Sequence, residues 1–254
     1  MAGIFSRLFH RDRPESLRCG AVVPAAGSST RMGQDKVLLP LDGVPVIIRT
    51  LRALDNCPLI DEIVVVTRED LIVPISGLCR DAALSKVRKV VRGGDTRTRS
   101  VLAGVEELSR SIELAAIHDG ARPLVTTEVI DQAITMAAQR GAAAPAVPVK
   151  DTVKKAHDGL VEETPDRSSL FAVQTPQVFD ASLIRGALGK AVEENAPITD
   201  DCSAVERLGM QVFLTQGDYT NLKITTPEHM AVAEGLLAWR QSSKGETYAH
   251  WTWL

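Results

Sequence analysis

The chain has 254 residues and 27.4 kDa, 44% of them hydrophobic and 24% charged, a composition of ordinary globular proteins that excludes a disordered, collagen-like or fibrous chain. With 29 Lys plus Arg against 32 Asp plus Glu, the net charge of −3 gives no electrostatic reason for a polyanion partner such as nucleic acid. No apolar run reaches the roughly 18 residues of a membrane span, because Pro, Gly or a charge interrupts each one. Cys19, Cys57, Cys79 and Cys202 show neither CxxC nor zinc-finger spacing, so a reducing, cytoplasmic setting is expected rather than a disulfide scaffold.

Met1 to Arg18 carries four arginines with apolar Ile4, Phe5, Leu8 and Phe9. Asp12, Glu15 and its shortness argue against a targeting helix, so it reads as a disordered extension. Beyond it, apolar runs rich in Val, Ile and Ala alternate with helix-period segments, the pattern of an α/β fold with a mostly parallel sheet flanked by helices. Gly20 to Pro24 predicts a buried first strand, followed by a loop over Ala25 to Leu39 and a helix over Pro45 to Leu54. Further strands are expected at Glu62 to Thr67, Val87 to Val91, Ala115 to His118 and Ala142 to Pro148, with helices over Thr98 to Leu108 and Thr127 to Arg140.

From Lys150 to Gln174 charged and turn-forming residues break both periods, which predicts an excursion from the core, an extended arm. Helices follow at Ala181 to Asn195 and Asp200 to Leu208, then a strand at Gln211 to Leu214 and a last helix from Pro227 to about Arg240. No repeat and no Gly-, Ser- or Pro-rich linker divides the chain. Residues 19–240 therefore read as a single domain with the arm at about 150–174, and residues 241–254 as a tail holding Tyr248, Trp251 and Trp253.

The segment from Ala25 to Gly33 follows a strand with small residues that let backbone N–H groups approach a phosphate, flanked by the cations Arg31 and Lys36. It has neither the Gly-Lys-Ser/Thr ending of a Walker A loop nor the Gly-x-Gly-x-x-Gly of a dinucleotide fingerprint. Gly93-Gly94-Asp95 before a helix offers bare N–H groups and a carboxylate suited to a flat, hydrogen-bonding base. Asp119 ends a buried strand, where open α/β sheets present ligand-binding side chains. It can face a ribose, substrate hydroxyls or a phosphate-bound Mg²⁺, which makes it a weak candidate metal ligand. His118 reads as a packed strand-end residue rather than a catalyst.

Six further runs occur in order after the first loop: Gly93 to Val101, His118 to Pro123, Val149 to Lys154, Thr175-Pro176-Gln177, Thr199-Asp200-Asp201 and Asn221 to Thr225. With Ala-Ala-Gly-x-x-x-Arg-Met before Lys36, this set resembles the 2-C-methyl-D-erythritol 4-phosphate cytidylyltransferase family from about Cys19 to Leu237. The related ribitol 5-phosphate cytidylyltransferases share much of the pattern. The resemblance implies a Rossmann-like, glycosyltransferase-A-like nucleotidyltransferase sheet with a protruding arm that interlocks with a second subunit, making a homodimer.

It also implies roles for particular residues. Ala25, Ala26, Gly27, Gly94, Asp95 and Ser100 would surround CTP, with Asp119 and Gly120 beside it. Asp119, Arg122, Thr152 and Thr199 would meet the polyol phosphate, and Arg167 and Lys223 would hold its phosphate. Gly120 stands where the family usually has Ala, which is expected to loosen the turn, and Gln34-Asp35 before Lys36 and Asp200-Asp201-Cys202 after Thr199 are further departures.

The expected reaction is direct displacement at the α-phosphorus of CTP by a phosphate oxygen of the acceptor, with pyrophosphate leaving. The attacker is already an anion, so the chemistry calls for cations rather than a base. Arg31 and Lys36 would stabilise the transition-state charge, aided by Mg²⁺ on the triphosphate. A ribitol 5-phosphate enzyme and a catalytically decayed nucleotide-binding protein are the competing readings. The chain ends too early for a fused downstream cyclase domain to be expected.

Overall fold

The computed structural model describes residues 17–27 and 35–242. Most of the expected N-terminal extension, the stretch 28–34 with Arg31, and the tail residues Tyr248, Trp251 and Trp253 lie outside the described residues. In chain order, β1 (Cys19–Pro24) is followed by a two-stranded ribbon of β2 (Pro40–Leu41) and β3 (Val44–Pro45), then α1 (Val46–Asn56), β4 (Glu62–Thr67), α2 (Glu69–Asp81) and β5 (Val87–Arg92). Next come α3 (Arg97–Glu106), β6 (Leu114–Ile117), α4 (Thr127–Arg140), β7 (Ala142–Pro148), the hairpin β8 (Lys155–His157) and β9 (Leu160–Glu163), and a single 3₁₀ turn at Arg167–Ser169. The order closes with β10 (Phe171–Val173), β11 (Gln177–Asp180), α5 (Ala181–Glu193), α6 (Asp201–Glu206), β12 (Phe213–Gln216) and α7 (Pro227–Ser242).

Strands β1 and β6 are apolar along their whole length, and β4 between Glu62 and Thr67, because both of their faces are covered. Cys19, Ala21 and Val23 of β1, with Ile63 and Val65 of β4, join one core with Ile47 and Leu51 of α1, Ile75 of α2 and Ile130 of α4. Val22, Val64 and Val66 point the other way, into a core with Val101 of α3, Ile184 of α5 and Val205 of α6. Helix α7 caps a third cluster with Leu41, Leu124 and Ile224.

Strands β5, β4, β1 and β6 run parallel in that spatial order, and β11 lies antiparallel between β6 and β7. Ala143 pairs with both Val178 and Phe213, and Ala146 with both Val173 and Gln216. Strands β10 and β11 therefore run end to end along one side of β7, and β12 takes the other. The chain turns outward in opposite directions from β1, to β4 and to β6, so the loops at the carboxyl ends of those strands diverge and leave a crevice.

The strands at Glu62–Thr67 and Ala142–Pro148 and the helix at Thr127–Arg140 have the predicted bounds, while the strand expected at Gln211 to Leu214 is displaced to Phe213–Gln216. Helix α2 has no counterpart in the sequence reading. Pro74 lies inside it and obscures the stripe Leu71, Ile75 and Cys79, which is buried at helical spacing. Strand β11 was equally hidden, since it is only four residues long. Residues 150–174 hold the hairpin of β8 and β9, exposed at every position.

Candidate active site

Three loops meet above the boundary of β1 and β6 around a cavity of about 370 Å³. The loop after β1 contributes Ala25, Ala26, Gly27 and then Lys36; the loop after β5 contributes Gly94, Asp95, Thr96 and Arg97; the loop after β6 contributes Asp119 and Gly120. Ser100 and Lys223 complete the wall. A larger hollow of about 640 Å³ lies at the other end of the strands, near Leu114, Gly141 and Asp180, and holds none of the predicted site residues.

Local hydrogen bonding fixes each loop. Ala25 N–H donates to the Val66 carbonyl at 2.7 Å, Gly93 N–H to the Thr67 carbonyl at 2.8 Å, and Gly120 N–H to the Pro24 carbonyl at 3.2 Å. Thr96 caps α3 by accepting from Arg99 N–H, and the Ser100 hydroxyl folds back on the carbonyls of Gly94 and Thr96 at 3.2 and 2.9 Å. A Cβ on Gly94 would fall 2.5 Å from that of Arg99, so only glycine lets the loop lie against α3. At Gly120 a Cβ would sit 3.0 Å from Ile47, 3.2 Å from Ala25 and 3.2 Å from the Pro24 carbonyl. Glycine lets these neighbours approach the loop closely.

Asp119 gathers two cations on one oxygen. Its Oδ2 lies 3.2 Å from Arg122 Nε and 3.0 Å from Lys223 Nζ. Burial alone would raise the carboxyl pKa, but Lys223 and Arg122 outweigh it and hold it down at about 2, so Asp119 is ionised. Arg122 is turned inward, with Nη1 donating to the Asn221 carbonyl at 2.7 Å, and it supports Asp119 rather than lining the cavity. Ile224 N–H donates to the Ala121 carbonyl at 2.8 Å, which brings the strand-like run bearing Lys223 alongside this loop.

His118 is fully buried. Its Nε2 lies 3.3 Å from the Arg122 carbonyl, which can only accept, so Nε2 carries the proton and Nδ1 accepts from the Thr175 hydroxyl at 3.0 Å. Burial pushes the imidazole pKa down to about 4, against the pull of Asp119. It is a neutral packing residue, as its place at a strand end suggested. Burial likewise raises the Cys57 thiol to about 12 and Cys79 to about 11, so neither is a ready nucleophile.

The remaining predicted residues lie apart from the cavity wall. Thr152 and Arg167 are exposed in the arm, where the Arg167 guanidinium donates to the Lys150 carbonyl. Thr199 is exposed ahead of α6, and its N–H donates to Ser203 Oγ at 3.2 Å. Arg31 lies outside the described residues. The helix start read from Thr199-Asp200-Asp201 is present: Asp200 caps α6 in a reciprocal capping box with Ser203.

Two features were not legible as site components. Arg97 lines the cavity, and its guanidinium forks onto the fully buried carboxylate of Asp201 at 2.8 and 2.6 Å. Burial raises the Asp201 carboxyl pKa and Arg97 opposes that shift. Gln177 accepts from the N–H groups of Asp201 and Cys202 at 3.1 Å each and donates to Asp200 at 2.7 Å, which locks the start of α6. Both residues stand in the quoted runs, but no one-dimensional signal joins partners 104 positions apart.

A sequence model of the 2-C-methyl-D-erythritol 4-phosphate cytidylyltransferase family matches residues 19–239. The enzyme of that name from Caldanaerobacter subterraneus subsp. tengcongensis is 46% identical over 226 residues, 86% of this chain and 98% of its own. Its counterpart from Desulforamulus reducens is 47% identical over 225 residues, 85% of this chain and 94% of its own. Among solved structures, 4-diphosphocytidyl-2C-methyl-D-erythritol synthase from Anaerococcus prevotii is similar with a TM-score of 0.79 at 31% identity, over 88% of this chain and 97% of that one. With the family pattern running from β1 through α7, the chain belongs to the 2-C-methyl-D-erythritol 4-phosphate cytidylyltransferase family.

Proposed function

We propose that the protein transfers CMP from CTP to 2-C-methyl-D-erythritol 4-phosphate, giving 4-diphosphocytidyl-2-C-methyl-D-erythritol and pyrophosphate. The observation that carries this reading is the convergence of Lys36, the Gly94-Asp95 turn and the Asp119–Lys223 pair on one cavity at the carboxyl end of β1, in a chain of this family. A phosphate oxygen of the acceptor attacks the α-phosphorus, and the bond from that phosphorus to the pyrophosphate oxygen breaks. Lys36, joined by Arg31, stabilises the charge that builds on the α-phosphate. Backbone N–H groups of Ala26 and Gly27 face the phosphates, and Gly94, Asp95 and Ser100 the cytosine. Lys223 shares itself between Asp119 and the acceptor phosphate, which fixes the nucleophile without a base.

Magnesium fits this site as an ion carried by the triphosphate. Among the described residues no cluster of three His, Cys, Asp or Glu side chains could cage a metal, whereas the ionised Asp119 offers one carboxylate at the cavity. Bound there, the ion would neutralise phosphate charge. In the same proposal the arm pairs two copies into a homodimer, and Thr152 and Arg167 reach the polyol phosphate of a neighbouring site. The apolar Leu160 and Val161 on the exposed hairpin support that pairing. Thr199 contacts the polyol. The proposed setting is the reducing cytoplasm, and no described helix is long and apolar enough to cross a membrane.

Pyrophosphate release with CTP and Mg²⁺, with 2-C-methyl-D-erythritol 4-phosphate and ribitol 5-phosphate offered in parallel, tests the reading. Release with the methylerythritol phosphate is expected. Preference for ribitol 5-phosphate would reassign the acceptor, and CTP binding with no release from either would leave a nucleotide-binding protein without this activity.

A further inference from the structure

The loop that carries the proposed phosphate ligands is held at both stems by the end of one strand, β4. The leaving stem is held through its backbone: Ala25 N–H donates to the Val66 carbonyl at 2.7 Å, and Thr67 Oγ1 donates to the Ala25 carbonyl at 3.4 Å. The returning stem is held by the next residue along, Arg68, whose Nη1 and Nη2 fork onto Asp35 Oδ1 and Oδ2 at 2.7 and 3.0 Å. The Asp35 carbonyl accepts from Leu38 N–H at 2.8 Å, so Asp35 opens the turn on which Lys36 stands. The far side of that turn is tied to α1, with Ile47 N–H donating to the Val37 carbonyl at 2.8 Å and Val46 N–H to the Leu39 carbonyl at 3.0 Å.

Arg68 is poorly placed to serve as a phosphate ligand itself. Asp70 takes its Nε at 3.1 Å and its Nη2 at 2.9 Å, so one guanidinium serves two carboxylates and the trio carries a net negative charge. Those hydrogen bonds to Asp35 and Asp70 hold the Arg68 pKa above its ordinary value. Nor does Arg68 line the cavity, whereas Lys36 does. The geometry points to Arg68 and Asp35 as a clamp that positions Lys36: they are positioning residues for the transfer reaction, acting through the turn and touching no substrate. This inference rests on the reading of Lys36 as a ligand of the triphosphate.

The test measures pyrophosphate release and amide hydrogen exchange on the full chain for Arg68→Met, Asp35→Asn, the double variant and Arg68→Lys. Each single change is expected to lower kcat by about tenfold at saturating CTP, since a displacement of about 1 Å costs up to 10²-fold. KM for the acceptor stays unchanged, and the amides of Leu38 and Leu39 exchange faster. The double variant is no worse than the worse single, because one clamp breaks only once, and Arg68→Lys, which keeps the charge without the fork, falls between. Additive losses in the double variant, or wild-type kcat and unchanged exchange in Arg68→Met, would overturn the clamp. Should the wild-type protein release no pyrophosphate with either acceptor, the proposed function fails and exchange alone decides: faster exchange in Arg68→Met sustains the clamp, and unchanged exchange overturns it.

Discussion

The cavity end of the sheet and the arm use the same kinds of residue in opposite ways. Around the cavity, Asp119 draws Arg122 and Lys223 to 3.2 and 3.0 Å and is itself only 8% exposed, so its charge is answered within the chain. Along the arm every residue of β8 and β9 is exposed, Leu160 at 74%, and the Lys155–Glu162 pair stands in solvent. A charge buried at the cavity must find its partner or the fold pays for it, whereas arm residues can be exchanged with little effect on one folded copy. Deep coupling and surface independence are thus properties of place rather than of residue type.

The largest test of this contrast is chemical. Lys36→Ala is expected to cost about 10²- to 10³-fold in turnover, as for removal of one preorganised donor, with an unchanged urea unfolding midpoint. Turnover near wild type would remove Lys36 from the chemistry. Arg97→Met leaves the fully buried Asp201 without its fork and should lower unfolding free energy by about 3 kcal/mol in urea titrations. A loss near zero would mean that the cavity tolerates an unanswered charge as readily as the arm does.

Acid sharpens the same difference. The His118 imidazole is held at about 4 in the fold against an ordinary 6.5, so the unfolded chain binds a proton that the folded chain refuses. Its contribution is complete above pH 6.5 and is lost as pH falls towards 4, by about 3 kcal/mol. Asp119, held at about 2 against 3.8, extends the loss below pH 4, since protonation releases its two cations. As pH is lowered from 7 to 4, urea midpoints should fall steeply in the wild type and more gently in His118→Gln. Least costly to the fold is the paired change Leu160→Asp and Val161→Asp: sedimentation should shift from dimer to monomer while unfolding free energy moves by no more than about 0.5 kcal/mol. A monomeric wild type would break the arm's side of the comparison.

What could be read from sequence follows the same division. Strands such as β1 and β4, buried on both faces, announce themselves as continuous apolar runs, and Gly93-Gly94-Asp95 before a capped helix marks a ligand-facing turn. The pairing of Arg97 with Asp201, and of Arg68 with Asp35, was not legible, because ion pairs between distant segments leave no periodic trace. The close approach of Ile47 and Ala25 to Gly120 was not legible either, since it exists only after folding. In the arm, short strands with every side chain exposed lack the alternation that a buried face imposes, so the hairpin of β8 and β9 passed as irregular chain.

The register of β7 and β10 gives the arm a topological character of its own. Pro148 and Phe171 are direct partners in the ladder, as are Val147 and Ala172, so residues 149–170 form an insertion at the tip of a hairpin whose two legs are already paired. Closing a longer loop between fixed ends costs only about 0.6 kcal/mol per doubling of its length. The insertion is therefore a module: it can be lengthened, trimmed or exchanged while Ala146 still meets Val173 and Gln216, and the sheet that carries the cavity keeps its alignment.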